Sequence, residues 1–430
     1  AATDATLVPC REISGVLNGP AIDGTGNVWN ENGYAQVNGR GWYCAGHTSG
    51  LIEALPSQRI TRESAQAAER RICDLVEHFP WADDYGYPMW LAALLAQVCR
   101  PLFDTCPATL ITATAPGSGK SYLAKIIGII AHGREPGMMP WPKHRENADT
   151  DNELRKRIMG LAATGSTLAV IDNLEAGCAF DSDALCAAVT STLLEDRTLG
   201  VNGVGSIQTR RVWAQIIATG NAVVAAGDMA DRTMVIRLQS TEANRRELPL
   251  EAFGAVGDAL AYARTHRVQL LADCLVMATG FIHAGKPKQS GKPWNSFNGF
   301  HDLILGIVRW TTGIDPIAKR LEGARVTDPV MTALVQLAAN WQAVFGKTPV
   351  TARHIETACT AQTCGEDLAA LGESLQVLGA GQKLSAIGIG KTLKRYKDRV
   401  FMTDRGTLAI QSIQDTHAKT QAWTVNLTGS

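Results

Sequence analysis

The stretch "ATLITATAPGSGKSYLAKIIGII", residues 108–130, constrains the fold more than any other part of the sequence. Its first seven residues predict a buried β-strand, and a glycine-rich turn follows them. The helix predicted after the turn has apolar residues at helical spacing: Leu123, Ile126, Ile127 and Ile130. A strand, a tight turn and a helix in this order are typical of an α/β layer with a parallel sheet.

The glycine-rich turn matches most of the phosphate-binding pattern Gly-x-x-x-x-Gly-Lys-[Ser/Thr]. Gly119, Lys120 and Ser121 fit the pattern, whereas Thr114 stands in place of its first glycine. Small residues let backbone N–H groups converge on a phosphate, Lys120 supplies a positive charge, and the Ser121 hydroxyl binds Mg²⁺. An ordinary glycine-rich turn is the alternative. The predicted phosphate-binding residues are Pro116, Gly117, Ser118, Gly119, Lys120, Ser121 and Tyr122.

A carboxylate ends the second predicted strand, "STLAVID". Asp172 at the tip of a buried parallel strand would lie beside the glycine-rich turn and hold Mg²⁺, directly or through water. A helix cap or turn residue is the alternative. Asn173 comes next, where many hydrolysing relatives place Glu, and Asn can position a water but cannot take its proton. Glu175 is the nearest spare carboxylate, so either it shares this task with Asn173 or hydrolysis is slow.

A helix with Ser182 as its N-cap is predicted over "DSDALCAAVTSTLLEDR". Two further strands are predicted at "WAQIIATGN" and "RTMVIRL". Asn221 ends the first of them and is a candidate contact to a γ-phosphate or to the water that attacks it. Arg232 is a candidate arginine finger, which would complete the nucleotide site of a neighbouring subunit. A surface salt bridge with Asp228 or Asp231 is the alternative for Arg232, and a structural role is the alternative for Arg237.

Composition limits the choice of partners. The 41 basic and 41 acidic residues balance, and a protein that coats DNA by charge alone would be basic, so nucleic-acid contacts must come from local patches. The ten cysteines include no Cys-x-x-Cys pair, which predicts buried free thiols in a reducing compartment. No secretory leader is recognised in "AATDATLVPC", and the most apolar segment is interrupted by Gln97 and Arg100. We therefore expect a cytoplasmic protein without a membrane partner.

The predicted elements divide the chain into five regions. Helices followed by a β-hairpin at the C-terminal end suggest a winged-helix module. The regions are a Gly/Asn-rich segment at 1–60, a helical lead-in at 61–107, a P-loop core at 108–240, a helical domain at 241–350 and a winged-helix-like domain at 351–430. In the first region the turn pairs Asn32-Gly33 and Asn38-Gly39 suggest short hairpins or irregular structure.

In order, "APGSGKS", "AVIDN", "ATGN" and "GDMADR" resemble the AAA+ ATPase domains of phage- and plasmid-encoded replication proteins. These belong to the helicase branch related to superfamily 3 and the primase-helicases. Segments such as "WNSFNGFHDLILGIVRWTTGIDP" are similar too, so the resemblance covers residues 70–430. It implies the α/β fold class, with an AAA+-type P-loop ATPase core, helical regions and a C-terminal winged-helix-like domain. It also implies a ring, often a hexamer, that hydrolyses ATP with Mg²⁺ to move along single-stranded DNA. A primase or polymerase domain or protein is a candidate partner.

The resemblance also implies a role for each polar residue of the predicted site. Two positions depart from the family pattern: Thr114 replaces the first glycine of the loop, and Asp231 stands where such proteins often have a second arginine. The implied roles are phosphate and Mg²⁺ binding by Lys120 and Ser121, metal binding by Asp172, γ-phosphate sensing by Asn221 and action on the neighbouring site by Arg232.

Two segments are candidates for DNA contact. In "TLGVNGVGSIQTRRV", Asn202 and the glycine after it predict a tight hairpin turn, and Arg210 and Arg211 add charge at the hairpin base. An ordinary surface hairpin is the alternative. The second segment is the basic helix "IGKTLKRYKDRV", where the spacing of the charges spreads them over more than one face. A solvated helix is the alternative there, and the lysines of 285–292 are expected to lie in a solvated linker. The helix contributes Lys391, Lys394 and Arg395 as candidate DNA contacts.

Two other functions stay open. A replication initiator or loader would use ATP binding as an assembly switch without translocation, and Asn173 slightly favours it. A small-molecule P-loop kinase is the second alternative, and the long helical and winged-helix C-terminal part argues against it.

Overall fold

The computed structural model divides the chain into two compact units, Ala1–Leu321 and Glu322–Ser430. Pro116 and Asn202, two of the predicted site residues, lie outside the described residues. The structure describes residues 11–114, 117–142, 150–197, 207–239, 256–288, 290–291, 293–319, 329–361, 365–379, 384–397, 400–403, 406–414 and 421–428.

The first unit is built around a five-stranded parallel sheet, whose strands lie in the order β5-β1-β4-β3-β2. The strands, numbered along the chain, are β1 (Ala108–Ala113), β2 (Met138–Pro140), β3 (Leu168–Leu174), β4 (Gln215–Asn221) and β5 (Thr233–Leu238). Since β1 and β4 are buried along nearly their whole length, they show the continuous apolar runs of a sheet covered on both faces. The predictions of β1, β3, β4 and β5 are confirmed, as is the α/β class. The short edge strand β2 was not predicted, because three residues ending in proline carry no apolar pattern.

Helices cover both faces of this sheet. Helix α1 (Lys120–His132) leads from β1 to the far edge strand β2. Helix α2 (Thr150–Thr164) connects β2 to β3, and α3 (Asp183–Thr190) connects β3 to β4, so both connections run back towards β1. Right-handed crossovers that run in opposite directions place their helices on opposite faces. In agreement, α2 packs against α3, and α1 packs against three other helices: Gly86–Val98, Ala259–Thr265 and Arg267–His283.

The predicted helix over "DSDALCAAVTSTLLEDR" is correct only in its first half. Ser182 caps α3 as predicted, since its hydroxyl accepts from the Leu185 N–H at 3.2 Å. After α3, Leu193–Arg197 is a strand that pairs antiparallel with Ile207–Arg211. The strand wins over the helix because exposed and half-buried residues alternate along it, which suits a hairpin with one solvated face.

The lead-in reaches the open edge of the sheet. Helix Arg62–Val76 begins with a capping box between Thr61 and Ser64, and helix Gly86–Val98 is almost wholly buried. Between these helices the chain runs along β5, where the Ala82 N–H donates to the Arg237 carbonyl at 3.0 Å and the Gln239 N–H donates to Pro80 at 2.8 Å. The lead-in is therefore part of the sheet edge as well as a helical layer.

A small module of strands precedes the lead-in. Arg40–Cys44 pairs antiparallel with Gly33–Val37 and parallel with Gly15–Leu17. The turn between the antiparallel strands has φ 50° at Asn38 and 71° at Gly39, so the predicted Asn-Gly hairpin is confirmed there. The Asn32-Gly33 pair, also predicted as a turn signal, instead starts a strand. A second, two-stranded pair joins Ala21–Ile22 with Val28–Trp29.

Trp213 anchors this module to the sheet. Its ring lies 4.6 Å from that of Trp42, and its indole N–H donates to the Ser14 carbonyl at 2.7 Å. Three guanidinium groups lie within 5.5 Å of its ring: those of Arg40, Arg100 and Arg211. Trp213 thus joins the N-terminal module to the base of the hairpin that ends at Arg211.

After the sheet the first unit is helical. Ala259–Thr265 and Arg267–His283 pack on α1, and the segment Asn295–Phe297 is a 3₁₀ turn. A continuous helical stretch follows, composed of Asn298–Phe300, a π-helical turn His301–Leu305 and Gly306–Thr312.

The second unit has its own hydrophobic core, which includes Trp341, Leu375, Leu393 and Trp423. In the described part of this unit, four helices and four strands surround the core. The helices are Pro329–Phe345, Ala352–Thr360, Glu366–Leu378 and Ala386–Tyr396, and the strands are Val350–Thr351, Val400–Thr403, Gly406–Gln414 and Gln421–Thr428. The last three strands form an antiparallel meander, which includes the predicted hairpin.

The cysteines and the helices each set a simple limit on the chemistry of the chain. The described cysteines are free, and burial raises the pKa of the Cys99 and Cys106 thiols to about 12, which makes them poor nucleophiles. Within the described part of the chain, every helix is too short or too polar to cross a membrane.

Candidate functional site at the carboxyl ends of the sheet

The strand order places a crevice between β1 and β4. From β1 the chain turns towards the β2 edge, and from β4 it turns past β1 to the opposite edge strand β5. Adjacent strands whose connections leave in opposite directions form a topological switch point, where open α/β sheets bind ligands at the carboxyl ends of the strands. The predicted site residues that follow β1, or that lie at or just beyond the ends of β3 and β4, are at this end of the sheet.

The glycine-rich loop leads directly into α1. Gly117 has φ 78° and Gly119 has φ 91°, a left-handed conformation that glycine adopts without strain. A Cβ on Gly119 would lie 2.6 Å from Cε1 of Phe79, so this aromatic ring of the lead-in packs on the loop. Ser118 is buried, and Tyr122 is 47% exposed. The loop is therefore fixed at its helical end, and its N–H groups lie at the positive end of α1.

Lys120 and Asn221 meet across the crevice. The Lys120 ammonium group donates to the Asn221 Oδ1 at 2.6 Å, which joins the first residue of α1 to the last residue of β4. The crevice is narrow enough here that one ligand atom could contact both side chains. The predicted pair of a loop lysine and a polar residue at a strand tip is thus in direct contact.

Ser121 and Asp172 form the second contact of the site. The Ser121 hydroxyl donates to Asp172 Oδ1 at 2.8 Å, and the hydroxyl of Thr219 also donates to Oδ1. Thr219 is 1% exposed, so it is a fixed support for the carboxylate. Sequence reasoning did not single out Thr219, although its place two residues before Asn221 on an apolar strand was the available signal.

A β-bulge shapes the end of β3. Ala218 pairs with Ile171 and Gly220 pairs with Leu174, so Asp172 and Asn173 together face the single residue Thr219. Asn173 has φ 61°, a conformation that Asn tolerates better than most residues, and its N–H donates to the Thr219 hydroxyl at 3.4 Å. The bulge turns the backbone directly after Asp172, at Asn173.

Glu175 lies beyond the bulge and is exposed. The turn that contains it is tied to β4, because the Gly177 N–H donates to the Asn221 carbonyl at 3.2 Å. Glu175 is thus on the strand-tip side of the sheet, in a turn attached to the candidate site.

Arg232 lies at the opposite end of the sheet. It directly precedes β5, and its carbonyl accepts from the N–H of Ala108, the first residue of β1. Its Nη1 lies 3.1 Å from Asp228 Oδ2, so the alternative of a surface salt bridge describes its contacts in this chain. Its buried Nε has no hydrogen-bond partner among the described residues. Arg237 stands near the other end of β5, paired in register with Thr112.

The hairpin arginines do not share one face. Along strand Ile207–Arg211 side chains alternate, so Arg210 and Arg211 point to opposite sides. Arg210 donates to the Gln208 side chain at 2.6 Å, and Arg211 stacks on Trp213. Ile207 is 66% exposed on the same side as Arg211. Asn202, at the predicted turn, lies outside the described residues.

The basic helix of the second unit presents a single charged face. The interpretation that its charges spread over several faces is wrong for the three candidate residues. Lys391, Lys394 and Arg395 are exposed, and Ile387 is 75% exposed. The three basic residues lie four, seven and eight positions after Ile387, and these spacings place all four side chains on one face of the helix. Thr392, Leu393 and Tyr396 form the buried face.

The donor set at the crevice suits a magnesium ion. Ser121 and Asp172 offer a hydroxyl and a carboxylate, the hard oxygen ligands that Mg²⁺ takes in small number while keeping phosphate oxygens and waters. The described residues contain no cluster of three or more His, Cys, Asp or Glu residues that could hold a metal by themselves. A cation here would complete its coordination with oxygens from a phosphate or from water.

The comparisons with known proteins give little further information. No family model matches the chain, and no curated protein matches it. Among solved structures, the A-form apo structure of the NrS-1 C-terminal region aligns at 10% identity with a TM-score of 0.41 and covers 92% of this chain and 83% of that one. A second structure of the same region aligns at 10% identity with a TM-score of 0.39.

Proposed function

We propose that this chain is an AAA+-type P-loop ATPase that acts as a DNA helicase or translocase in the replication of a phage or plasmid. The observation that carries the proposal is the meeting of three strand ends at the switch point of the sheet. There the loop residues Lys120 and Ser121 contact Asn221, the last residue of β4, and Asp172, near the end of β3. A phosphate seated on the loop would replace these contacts with its own.

Each residue has a physical task in this proposal. The loop N–H groups and Lys120 bind the phosphates of ATP, and Ser121 and Asp172 hold the metal. Mg²⁺, when bound, supplies positive charge to the β- and γ-phosphates. Thr219 fixes the Asp172 carboxylate through its hydroxyl. Asn221 orients the attacking water, and Glu175 is the carboxylate available to accept its proton.

Arg232 would act on a neighbouring subunit in a ring. It lies at the amino end of β5, whereas Lys120 and Asp172 lie at the carboxyl ends of the strands. A strand of six residues spans about 20 Å, which is too far for an arginine to reach its own site. Its exposed partner Asp228 makes a surface ion pair, which is weak enough to be exchanged for a phosphate.

DNA contact is assigned to two surfaces. The first is the exposed face of the hairpin formed by Leu193–Arg197 and Ile207–Arg211. This face would contact the backbone of single-stranded DNA without recognising its base sequence. The second is the face of Lys391, Lys394 and Arg395, which forms part of a winged-helix-like unit in this proposal. A primase or polymerase would be the partner that uses the unwound strand.

ATP turnover tests the proposal directly. We expect the protein to hydrolyse ATP, single-stranded DNA to raise the rate, and Lys120→Ala to abolish turnover while the fold is kept. Strand displacement on a forked duplex would follow in the wild type only. Turnover that DNA does not change, or that survives Lys120→Ala, would contradict the proposal.

The left-handed Asn173 favours a second candidate, a replication initiator or loader that uses ATP binding as an assembly switch. An Asn at this bulge positions water without removing its proton. This candidate predicts tight ATP binding and ATP-dependent assembly with very slow hydrolysis. It also predicts that Asn173→Asp, which suits the same backbone conformation and adds a carboxylate, raises turnover.

A further inference from the structure

A cavity of about 620 Å³ lies in the first unit, away from the crevice between β1 and β4. Its walls come from the N-terminal module, from the segment after helix Arg267–His283 and from the helical stretch over 298–312. Leu102 lines it, and Gly299, another lining residue, packs against Phe103. Both therefore lie near the amino end of β1, whereas the proposed nucleotide site lies at the carboxyl end.

A buried cation lines this cavity. The Arg309 side chain is 4% exposed, and its Nε and Nη2 donate to Asp315 Oδ1 at 3.0 and 2.8 Å. Its Nη1 lies 3.2 Å from Nε2 of His301, while Nδ1 of that ring lies 2.8 Å from the Asp302 carboxylate. The carboxylate favours a proton on Nδ1, so Nε2 accepts from the guanidinium. The guanidinium is thus held in one position by two neighbours.

The turn that carries His301 is unusual. Residues His301–Leu305 form a π-helical turn inside an otherwise α-helical stretch. Such turns are rare and occur frequently at functional sites, because the extra residue displaces side chains from the regular helical positions. Asp302 and Leu303, from the same turn, also line the cavity.

Two unpaired lysines stand at the mouth of the cavity. Lys286 and Lys288 are exposed, and their side chains make no ion pair or hydrogen bond with any residue that the structure describes. Lys286 has φ 51° and follows Gly285 at φ 80°, so two left-handed residues reverse the chain after the helix. Residues other than glycine seldom adopt this backbone conformation. These lysines were expected to lie in a solvated linker, and their place at the mouth of a cavity was not foreseen.

The lining residues select a class of ligand. Among the described lining residues there is no Phe, Tyr or Trp, and the one ring, that of His301, is held by Asp302 and Arg309, so the cavity is poorly suited to stacking a nucleobase. The Arg309 guanidinium is balanced by Asp315, so the preference for an anion comes from the two ammonium groups, which outnumber the Asp302 carboxylate that also lines the cavity. The separate positions of the ammonium groups favour an anion with several charged oxygens. The volume falls in the range of about 300–1,000 Å³ that is usual for small-ligand sites.

We propose that this cavity is a second phosphate-binding site, which takes a ligand with two or more phosphate groups. Lys286 and Lys288 contact the phosphates at the mouth, and Arg309 faces them from within. The phosphates come either from a free polyphosphate compound or from the backbone of a nucleic acid. The proposal does not depend on ATP hydrolysis at the other site.

Binding of inorganic tripolyphosphate to the full chain tests the site, with Lys120→Ala as background so that the glycine-rich loop contributes little. We expect calorimetry to show binding that weakens about tenfold or more in the double variant Lys286→Glu/Lys288→Glu, since two charge-assisted contacts are lost. Both lysines are exposed, so the fold is expected to survive. Lys156→Glu, an exposed lysine on α2 with no part in the cavity, is the matched control.

A short oligothymidylate, measured on the same proteins, identifies the source of the phosphates. A parallel loss of oligothymidylate affinity, together with competition by tripolyphosphate, would assign the site to a nucleic-acid backbone. Loss of tripolyphosphate binding alone would support the site and assign it to a free polyphosphate compound. The proposal is overturned if tripolyphosphate does not bind at millimolar concentration, or if the double variant binds as tightly as Lys156→Glu.

Discussion

Thr219 shows how a single hydroxyl can decide the geometry of the candidate site. It donates to Asp172 and accepts from the Asn173 N–H, so it supports both residues that follow the apolar part of β3. The Ser121 hydroxyl donates to the same carboxylate oxygen. A carboxylate with two fixed donors keeps one orientation, which a metal ligand requires.

Thr219→Val removes this donor without changing the size of the side chain. A hydrogen bond to a charged group contributes about 1.5–3 kcal/mol, so we expect ATP turnover to fall about tenfold or more. Thr109→Val is the matched control, because Thr109 lies on the neighbouring strand β1 and its buried hydroxyl has no described partner. Steady-state ATPase assays on both variants check this prediction, and equal activities would exclude a supporting role for Thr219.

His132, the last residue of α1, should make stability depend on pH. Its Nε2 lies 2.9 Å from Gln97 Oε1, and burial lowers its pKa from 6.5 to about 4. The folded state therefore binds the proton less well than the unfolded state, so the stabilisation is complete above pH 6.5 and is lost as the pH falls towards 4.

We expect the wild type to lose up to about 3 kcal/mol of unfolding free energy, relative to His132→Gln, between pH 7 and pH 4. Urea unfolding of both proteins across this range measures the difference, and the titration of all other groups cancels in it. A constant difference would mean that His132 is not protonated on unfolding.

The junction between the glycine-rich loop and α1 depends on contact between two elements. Gly119→Ala places a Cβ 2.6 Å from the Phe79 ring and requires a left-handed alanine. We expect a loss of about 1–3 kcal/mol of stability and weaker ATP binding, because the ring or the loop must move. Thermal unfolding and nucleotide titration measure the two effects.

Gly160→Ala on α2 provides the opposite case. Its Cβ would meet nothing within 4 Å, and it lies within a helix, so we expect the free energy of unfolding to rise by about 0.5–1 kcal/mol.

Adding Phe79→Leu to Gly119→Ala should restore only part of the lost stability, because the backbone strain stays. A full restoration would mean that the ring contact alone was responsible.

The sequence predicted those elements whose local pattern agrees with their final environment. Long apolar runs marked β1 and β4, and Ser182 marked the start of α3. The hairpin strand Leu193–Arg197 was missed because the local sequence "STLLEDR" suits a helix. Its strand conformation depends on pairing with Ile207–Arg211, which a local pattern does not show. The site was partly predictable, since Lys120, Asp172 and Asn221 stand at strand ends. The bulge and the role of Thr219 arise from the pairing of β3 with β4, which no local pattern encodes.

For the chain as a whole, the position of Arg232 predicts complementation between subunits. Arg232→Ala should bind ATP but not hydrolyse it, and Lys120→Ala should do neither. In an equal mixture of the two, roughly a quarter of the ring interfaces combine an intact loop with an intact Arg232. We expect the mixture to regain ATP turnover that neither variant shows alone. A mixture as inactive as its components would remove Arg232 from the site.

The order of the strands in the sheet has a consequence for the chain while it is being synthesised. Strand β1 lies between β4 and β5, which are synthesised roughly 100 residues after it. At about 5–20 residues per second, the apolar strand β1 leaves the ribosome roughly 5–20 seconds before either neighbour exists. Slow translation would prolong this interval and expose β1 to wrong partners, so the yield of soluble protein should depend on the speed of synthesis between β1 and β5.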